Sequence, residues 1–308
     1  MHNRESVERL NAALMVVSCV VAFAAPFHLF LFAYAFLGPL HYLTEISWLH
    51  DRDYFAPRPA ARRWWLSLVG IAIAVLLYGY VTSAEPTLEI GLVYLVFLTA
   101  PLLLWVHHPV NAGALVLGGI IALALFSSAR AYAQLAYLMV TVIHVLVFTA
   151  AFVLYGALKS RSRSAIASLL IYAGCIAALL TLDVAPLAEA SETLRGIYTF
   201  FEPLNQQLMT LLGFEPLPVM RLIAFAYMYH YLNWFSKTSI IRWHDVPRMR
   251  FATILALWVA AVAIYIHDYN TGLSVLYVLS LLHVLLEFPL NHKTFAGIGS
   301  ELKAWVRA

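Results

Sequence analysis

Apolar stretches long enough to cross a lipid bilayer follow one another along almost the whole chain, and they constrain its fold more than any other feature. A helix of about 20 apolar residues spans the hydrocarbon core of a membrane. The chain is 63% hydrophobic and 11% charged, whereas soluble domains carry about 25% charged residues. We therefore predict an all-α polytopic integral membrane protein, one helical bundle over residues 1–308 with about ten transmembrane helices. The predicted spans are residues 9–25, 27–49, 64–83, 89–107, 112–128, 131–157, 165–182, 217–236, 251–267 and 271–290.

The basic residues predict which side of the membrane each loop faces. The chain has 19 Lys and Arg residues, and if ten spans alternate in direction only Arg130, Arg195 and Arg221 fall on one side. The other 16 share the opposite side, which should be cytoplasmic because Lys and Arg are enriched in cytoplasmic loops. We therefore expect both termini to be cytoplasmic and the protein to lie in the inner membrane of a bacterium.

Two stretches depart from the pattern of plain apolar spans. The small residues Ala22 and Ala24 resemble a signal-peptide cleavage site, but Arg4 and Arg9 before them are mixed with acidic residues. A signal peptide needs a clearly positive start, so we expect this stretch to remain as the first span. Residues 183–215 mix apolar and acidic residues, which is typical of an amphipathic helix lying on the membrane surface.

The pattern His-x-x-x-Glu-x-x-x-x-His occurs twice, each time where an apolar span runs into a polar loop. With 12 His and 11 Glu in 308 residues, random placement would give roughly 0.02 such matches. An ionisable residue inside a membrane span is costly and usually functional. The repeated pattern therefore indicates a shared chemical role. The two copies are His41, Glu45 and His50, and His283, Glu287 and His292.

The first two residues of each copy share one face of a helix, because positions four apart are neighbours on the helix surface. His41, His230 and His283 each lie about 6–8 residues before the end of a predicted span, which places them about 9–12 Å deep. His144 is deeper, at about 14 residues from its span end. Either its helix is displaced, or His144 lines a substrate cavity.

The remaining histidines are weaker candidates for the same site. Nine residues place His50 about 180° from His41 on an unbroken helix, so it could join only if the helix ends near Leu49. Pro289 predicts such a break before His292. His107 and His108 form an interfacial turn or a weaker metal site. The spacing does not decide whether His50, His107, His108, His244 and His292 are ligands.

Imidazole and carboxylate together suit iron, and also zinc or manganese. Helical bundles hold di-iron sites with Glu and His side chains that project inward. We expect one or two non-haem iron ions, with dioxygen as co-substrate. Glu45 and Glu287 are the candidate catalytic residues, either as ligands or as partners that orient the imidazoles. The full candidate ligand set is His41, Glu45, His144, His230, His283 and Glu287.

The segment from Gly38 to Glu45 reads Gly-Pro-Leu-His-Tyr-Leu-Thr-Glu. It resembles the G-L-P-H-G-x-x-D box of the bacterial and archaeal β-carotene 15,15′-dioxygenases (the Brp/Blh type). It differs because Pro and Leu are exchanged, Tyr42 stands where the family has Gly, and Glu45 replaces Asp. The resemblance implies a multi-span oxygenase with histidine-bound iron that cleaves β-carotene to retinal. By order along the chain, it also implies that His144, His230 and His283 match the family's later histidines.

Our leading hypothesis is an intramembrane iron-dependent oxygenase acting on a lipid-soluble substrate, a carotenoid-like polyene or an acyl chain. A second hypothesis is a transporter or channel whose His-Glu pairs carry protons or metal ions. A third is a haem-binding membrane electron carrier with axial histidines. We expect membrane lipid and a lipid-soluble small molecule as partners. No basic run suggests nucleic acid.

Overall fold

The computed structural model describes residues 2–56, 58–82, 87–105, 139–161 and 163–307, and these residues form helices without any strand. Two of the helices are preceded by π-helical segments, Ala33–Leu37 before the helix that begins at Gly38 and Met139–Phe148 before the helix that begins at Thr149. The α-helices are α1 His2–Ala24, α2 Pro26–Phe32, α3 Gly38–His50, α4 Pro59–Thr82, α5 Thr87–Trp105, α6 Thr149–Ser160, α7 Arg163–Thr181, α8 Glu192–Tyr198, α9 Glu202–Leu212, α10 Pro216–Ser236, α11 Thr238–Ile241, α12 Arg248–His267 and α13 Tyr269–Val306.

Within these described ranges, seven helices are long and apolar enough to cross a membrane, and a bent pair could supply an eighth. This confirms a helical membrane bundle, although the count of ten spans stays a prediction. The predicted span 112–128 and the first part of 131–157 lie outside the described residues. The other predicted spans coincide with observed helices to within a few residues at most of their ends.

The last span is the main exception, because the predicted break at Pro289 is wrong. Helix α13 runs without interruption from Tyr269 to Val306, with Pro289 buried inside it. Proline removes one backbone hydrogen bond, yet a helix packed against neighbours inside a membrane protein tolerates that loss. Here α13 packs against α3, α5 and α6, so these contacts support the chain on both sides of the proline.

The mixed stretch 183–215 contains the short helices α8 and α9. Helix α9 is amphipathic, since Leu204 and Leu208 are buried whereas Gln206 and Thr210 are exposed. Gly213 follows it with a φ of 70°, in the left-handed region that glycine adopts without strain. The chain bends there by 111° into α10. The buried leucines of α9 pack in an apolar core of the protein, and the location of this stretch on a membrane surface stays a prediction.

Two apolar cores form the interior of the bundle. The first joins α1, the Pro26–Leu37 stretch, α7 and α10, and the second joins the end of α3 with α4, α5 and α13. The first π-helical segment packs in the first core, whereas the second contributes Val142 and Val145 to the first core and Phe148 to the second. π-helical turns are uncommon and often mark functional sites. The second segment carries His144, one of the predicted site residues.

Candidate metal centre

Four histidines from four different elements meet between the two apolar cores. His41 comes from α3, His144 from the second π-helical segment, His230 from α10 and His283 from α13. All four are buried, with exposures of 1%, 1%, 7% and 1%. Buried polar groups require partners, and these imidazoles find them mainly in one another.

The facing atoms are the Nε2 nitrogens. The Nε2 atoms of His41 and His230 are 3.0 Å apart, and those of His144 and His283 are 3.2 Å apart. One ring nitrogen from each of His41, His230 and His283 lies within 4.8 Å of the other two. The structure thus brings together all four histidines that the sequence singled out inside the spans.

These separations fit two nitrogens bound to the same metal ion. For metal–nitrogen bonds of about 2.1 Å and bond angles of about 90–109°, ligand nitrogens lie about 2.9–3.4 Å apart. An N–H···N hydrogen bond between neutral imidazoles also has such a length. The ring nitrogens of His41, His230 and His283 lie close enough together to share one ion, and Nε2 of His144 faces His283 beside them.

The two glutamates of the repeated pattern join the cluster from different sides. Glu45 Oε2 lies 3.0 Å from Nε2 of His41, on the nitrogen that faces the cluster. Glu287 Oε2 lies 3.2 Å from Nδ1 of His144, on the nitrogen that faces away. The two carboxyl groups also interact with each other. Two neighbouring carboxyl groups in an apolar interior require protons or a bound cation to offset their charge.

Several buried atoms of the cluster lack hydrogen-bond partners among the described residues. They include Glu287 Oε2, whose 3.2 Å approach to His144 lacks hydrogen-bond alignment. A cation coordinated by the inner nitrogens would fix each outer nitrogen as an N–H group, and His144 could then donate to Glu287. The donor set and these unpaired atoms therefore fit a bound metal ion. The unpaired ring nitrogens are Nδ1 of His41, His144 and His283.

Hydroxyl groups and an aromatic ring support the cluster from behind. Thr149 Oγ1 lies 2.7 Å from Nδ1 of His230 and holds that ring in place. The Tyr42 ring stacks on His283 at a centroid distance of 4.2 Å, and its hydroxyl lies 2.6 Å from that of Tyr231. A Cβ at Gly38 would approach both hydroxyls to 3.2–3.3 Å, so glycine at the start of the box leaves room for this pair.

A cavity of about 400 Å³ leads from one end of the bundle to the open side of the cluster. His41, His230, Glu45 and Glu287 line its deep end, whereas His144 and His283 do not contact it. The alternative that His144 lines a substrate cavity therefore stays a prediction.

Two further residues of α10 and the residue that follows it line the cavity, and the sequence analysis did not include them among the candidate site residues. Asn233, Trp234 and Lys237 follow His230 at three, four and seven positions, which is the spacing of one helix face. That spacing was visible in the sequence, but aromatic residues at a span end are common at membrane interfaces. Lys237 lies just beyond the span, where burial lowers its pKa to about 8.

The weaker histidine candidates lie away from the cluster. Helix α3 continues through His50, so its side chain points outward to Asp51. The Arg250 guanidinium, 2.6 Å from Asp51, holds the pKa of that carboxyl below its usual range. His292 is partly buried and its Nε2 lies 3.0 Å from the Phe97 carbonyl oxygen. His244 is exposed. His107 and His108 lie outside the described residues.

No protein-family model matches this chain, and no curated protein or solved structure is significantly similar to it. The functional argument therefore depends on the site itself.

Proposed function

We propose that this protein is an intramembrane iron-dependent oxygenase that acts on a lipid-soluble polyene or acyl substrate. The observation that carries the proposal is the set of four buried imidazoles with inward-facing Nε2 atoms, beside two glutamates and at the end of a cavity. The short resemblance of the Gly38–Glu45 segment to the β-carotene dioxygenase box supports the same class of reaction. A bundle inside the membrane suits a substrate dissolved in lipid.

His41, His230, His283 and His144 would hold the metal, and Glu45 would be a fifth ligand on the side facing the cavity. This donor set contains nitrogen and oxygen atoms and no thiolate, which suits iron with a position open to a small ligand. Iron bound there would supply the redox chemistry that dioxygen activation requires. The two pairs of facing nitrogens would also accommodate two ions, so the proposal extends to one or two irons.

The residues around the ligands have separate tasks. Thr149 Oγ1 pairs with the outer Nδ1 of His230, and Glu287 lies 3.2 Å from the outer Nδ1 of His144. With a metal bound at the inner nitrogens, both would orient the rings and fix which nitrogen carries the proton. Phe152, Val153 and Trp234 line the cavity above the site, where they exclude water and contact an apolar chain. Low water content protects reactive oxygen chemistry from side reactions.

A transporter is the second candidate, and one observation favours it. The Glu45 and Glu287 carboxyl groups interact with each other and both line the cavity, so a proton could pass between them. In that case the histidines would be polar partners and no resident metal would be needed. The two functions predict opposite results for metal content and for oxygen dependence.

The test is elemental analysis of protein purified in detergent, combined with turnover assays under air and under nitrogen. We expect iron at one or two ions per chain and product formation only with oxygen. Cells that accumulate β-carotene test the narrowest version, because cleavage bleaches the pigment. Folded protein without iron, or turnover that does not change under nitrogen, would contradict the oxygenase and favour the transporter. If the cells keep their β-carotene colour, β-carotene is excluded as a substrate and the other lipid-soluble substrates remain.

A further inference from the structure

The cavity above the cluster has opposite chemistry at its two ends. Glu45 and Glu287 make the deep end acidic, whereas Lys159 and Lys237 contribute two cations near the opening. Glu8 also lies near the opening, but its carboxylate accepts a hydrogen bond from Ser164 on α7. Lys159 and Lys237 outnumber the Glu8 carboxylate there, so an anionic group would be attracted to the opening.

Buried amides lie between these two ends. Asn11 on α1 and Asn233 on α10 line the cavity, with exposures of 6% and 7%. Their Oδ1 atoms have no hydrogen-bond partner among the residues described. Asn11 and Asn233 thus place two buried amide groups in the wall of the cavity. Because the oxygen and nitrogen of an amide exchange places on a half-turn, each side chain can also direct N–H donors towards a ligand.

Lys237 has a defined position relative to the metal-binding residues. It is the C-cap of α10 and follows His230 by seven positions, so it lies about 10 Å from His230 along the helix axis. The Lys237 ammonium is close enough to His230 to affect it electrostatically. A head group held by Lys237 and Asn233 would therefore place the middle of an attached chain, rather than the atoms next to the head, beside the cluster.

We propose that the cavity binds a long-chain carboxylate, with its head held by Lys237 and the amides of Asn233 and Asn11 and its chain directed towards His41 and His230. An ammonium paired with a carboxylate forms a charge-assisted hydrogen bond, and the surrounding apolar walls hold the chain. That this ligand is the substrate rests on the oxygenase function proposed above, whereas its binding does not. A plain hydrocarbon such as β-carotene matches these polar groups less well.

The probe is cis-parinaric acid, a fluorescent polyene fatty acid, compared with its uncharged methyl ester. Binding is measured on metal-free protein in nanodiscs, with empty nanodiscs as the blank. We expect the acid to bind at least about ten-fold more tightly than the ester. Lys237→Gln should weaken binding of the acid about ten-fold and leave the ester unchanged, whereas Lys237→Arg should keep most of the affinity. Lys303→Gln, an exposed lysine of α13, is the matched control.

Unchanged binding of the ester to Lys237→Gln shows that this variant is folded. Equal affinity for acid and ester, or equal losses in Lys237→Gln and Lys303→Gln, would overturn the proposed carboxylate site. These outcomes are separate from those for the oxygenase. Iron-bearing protein that oxidises an uncharged polyene without any effect of Lys237→Gln would remove this inference and leave the oxygenase. If the protein binds the acid selectively but contains no iron as purified, the carboxylate site remains and the oxygenase is excluded.

Discussion

The two copies of the His-x-x-x-Glu-x-x-x-x-His pattern have the same spacing but hold their glutamates differently. In the first copy, Glu45 contacts the inward Nε2 of His41 on its own helix. In the second copy, Glu287 contacts the outward Nδ1 of His144, which belongs to another helix. The spacing places each glutamate on the same face as its histidine, but the neighbouring helices decide which nitrogen it meets. Identical motifs therefore place one carboxyl group at an inward nitrogen and the other at an outward nitrogen.

The helices that carry the two copies also differ beyond the glutamate. Helix α3 ends at His50 and leaves that side chain exposed. Helix α13 continues for another four turns past His292, which packs against Phe97 of α5. The second copy thus lies within a long supported helix, and the first lies at the end of one. The first histidine of each copy reaches the cluster in both cases.

The largest effect should come from removing those first histidines. We expect His41→Ala and His283→Ala each to weaken metal binding by at least about a hundredfold, more than the loss of an orienting partner causes. Elemental analysis after dialysis against a metal buffer measures this. His28→Ala and His267→Ala are the controls, since both side chains are exposed and remote from the cluster. Equal metal loss in these controls would mean that misfolding causes it and that the site is assigned wrongly.

The glutamates give the sharpest test of the difference between the copies. We expect Glu287→Gln to weaken metal binding about 10–100-fold, as outer partners of ligating histidines do, and Glu45→Gln to weaken it more. Because Glu287 acts through His144, adding Glu287→Gln to His144→Ala should lower the metal affinity little further. Glu45→Gln should add its full effect in that background. The test is the metal affinity of the two double variants. If both glutamate substitutions lower the affinity of His144→Ala by the same factor, the two glutamates do not have different roles.

The smallest effect should come from the last histidine of each copy, and it should concern stability rather than metal. Loss of the His292 contact with the Phe97 carbonyl in His292→Ala should cost about 0.5–1.5 kcal/mol. His50→Ala should stay within about 0.5 kcal/mol of the unsubstituted protein, because the ring is exposed. Thermal unfolding in one detergent compares them, and both should retain their metal. If either variant loses its metal, the histidine that was replaced is a metal ligand.

The sequence was sufficient to predict the helical class and the membership of the cluster. Apolar runs interrupted by charge predict spans because the bilayer excludes unpaired polar groups. The four intramembrane histidines and two glutamates were identifiable because buried ionisable residues are rare in such runs. The helix ends were harder to predict. Pro289 indicated a break that packing against α3, α5 and α6 prevents, and the length of α13 follows from those contacts.

Only the tertiary structure decided how these residues are arranged. Three contacts depend on which helices are neighbours. Nε2 of His41 lies beside His230, Glu287 lies beside His144, and Asn233 and Lys237 line a cavity together with Asn11. Helical spacing assigns a residue to a face of its own helix but carries no information about the helix opposite. Rotation and position of each helix are set by side-chain packing over the whole bundle. The sequence by itself therefore determined which groups could form a site, and packing determined which side of the site is open.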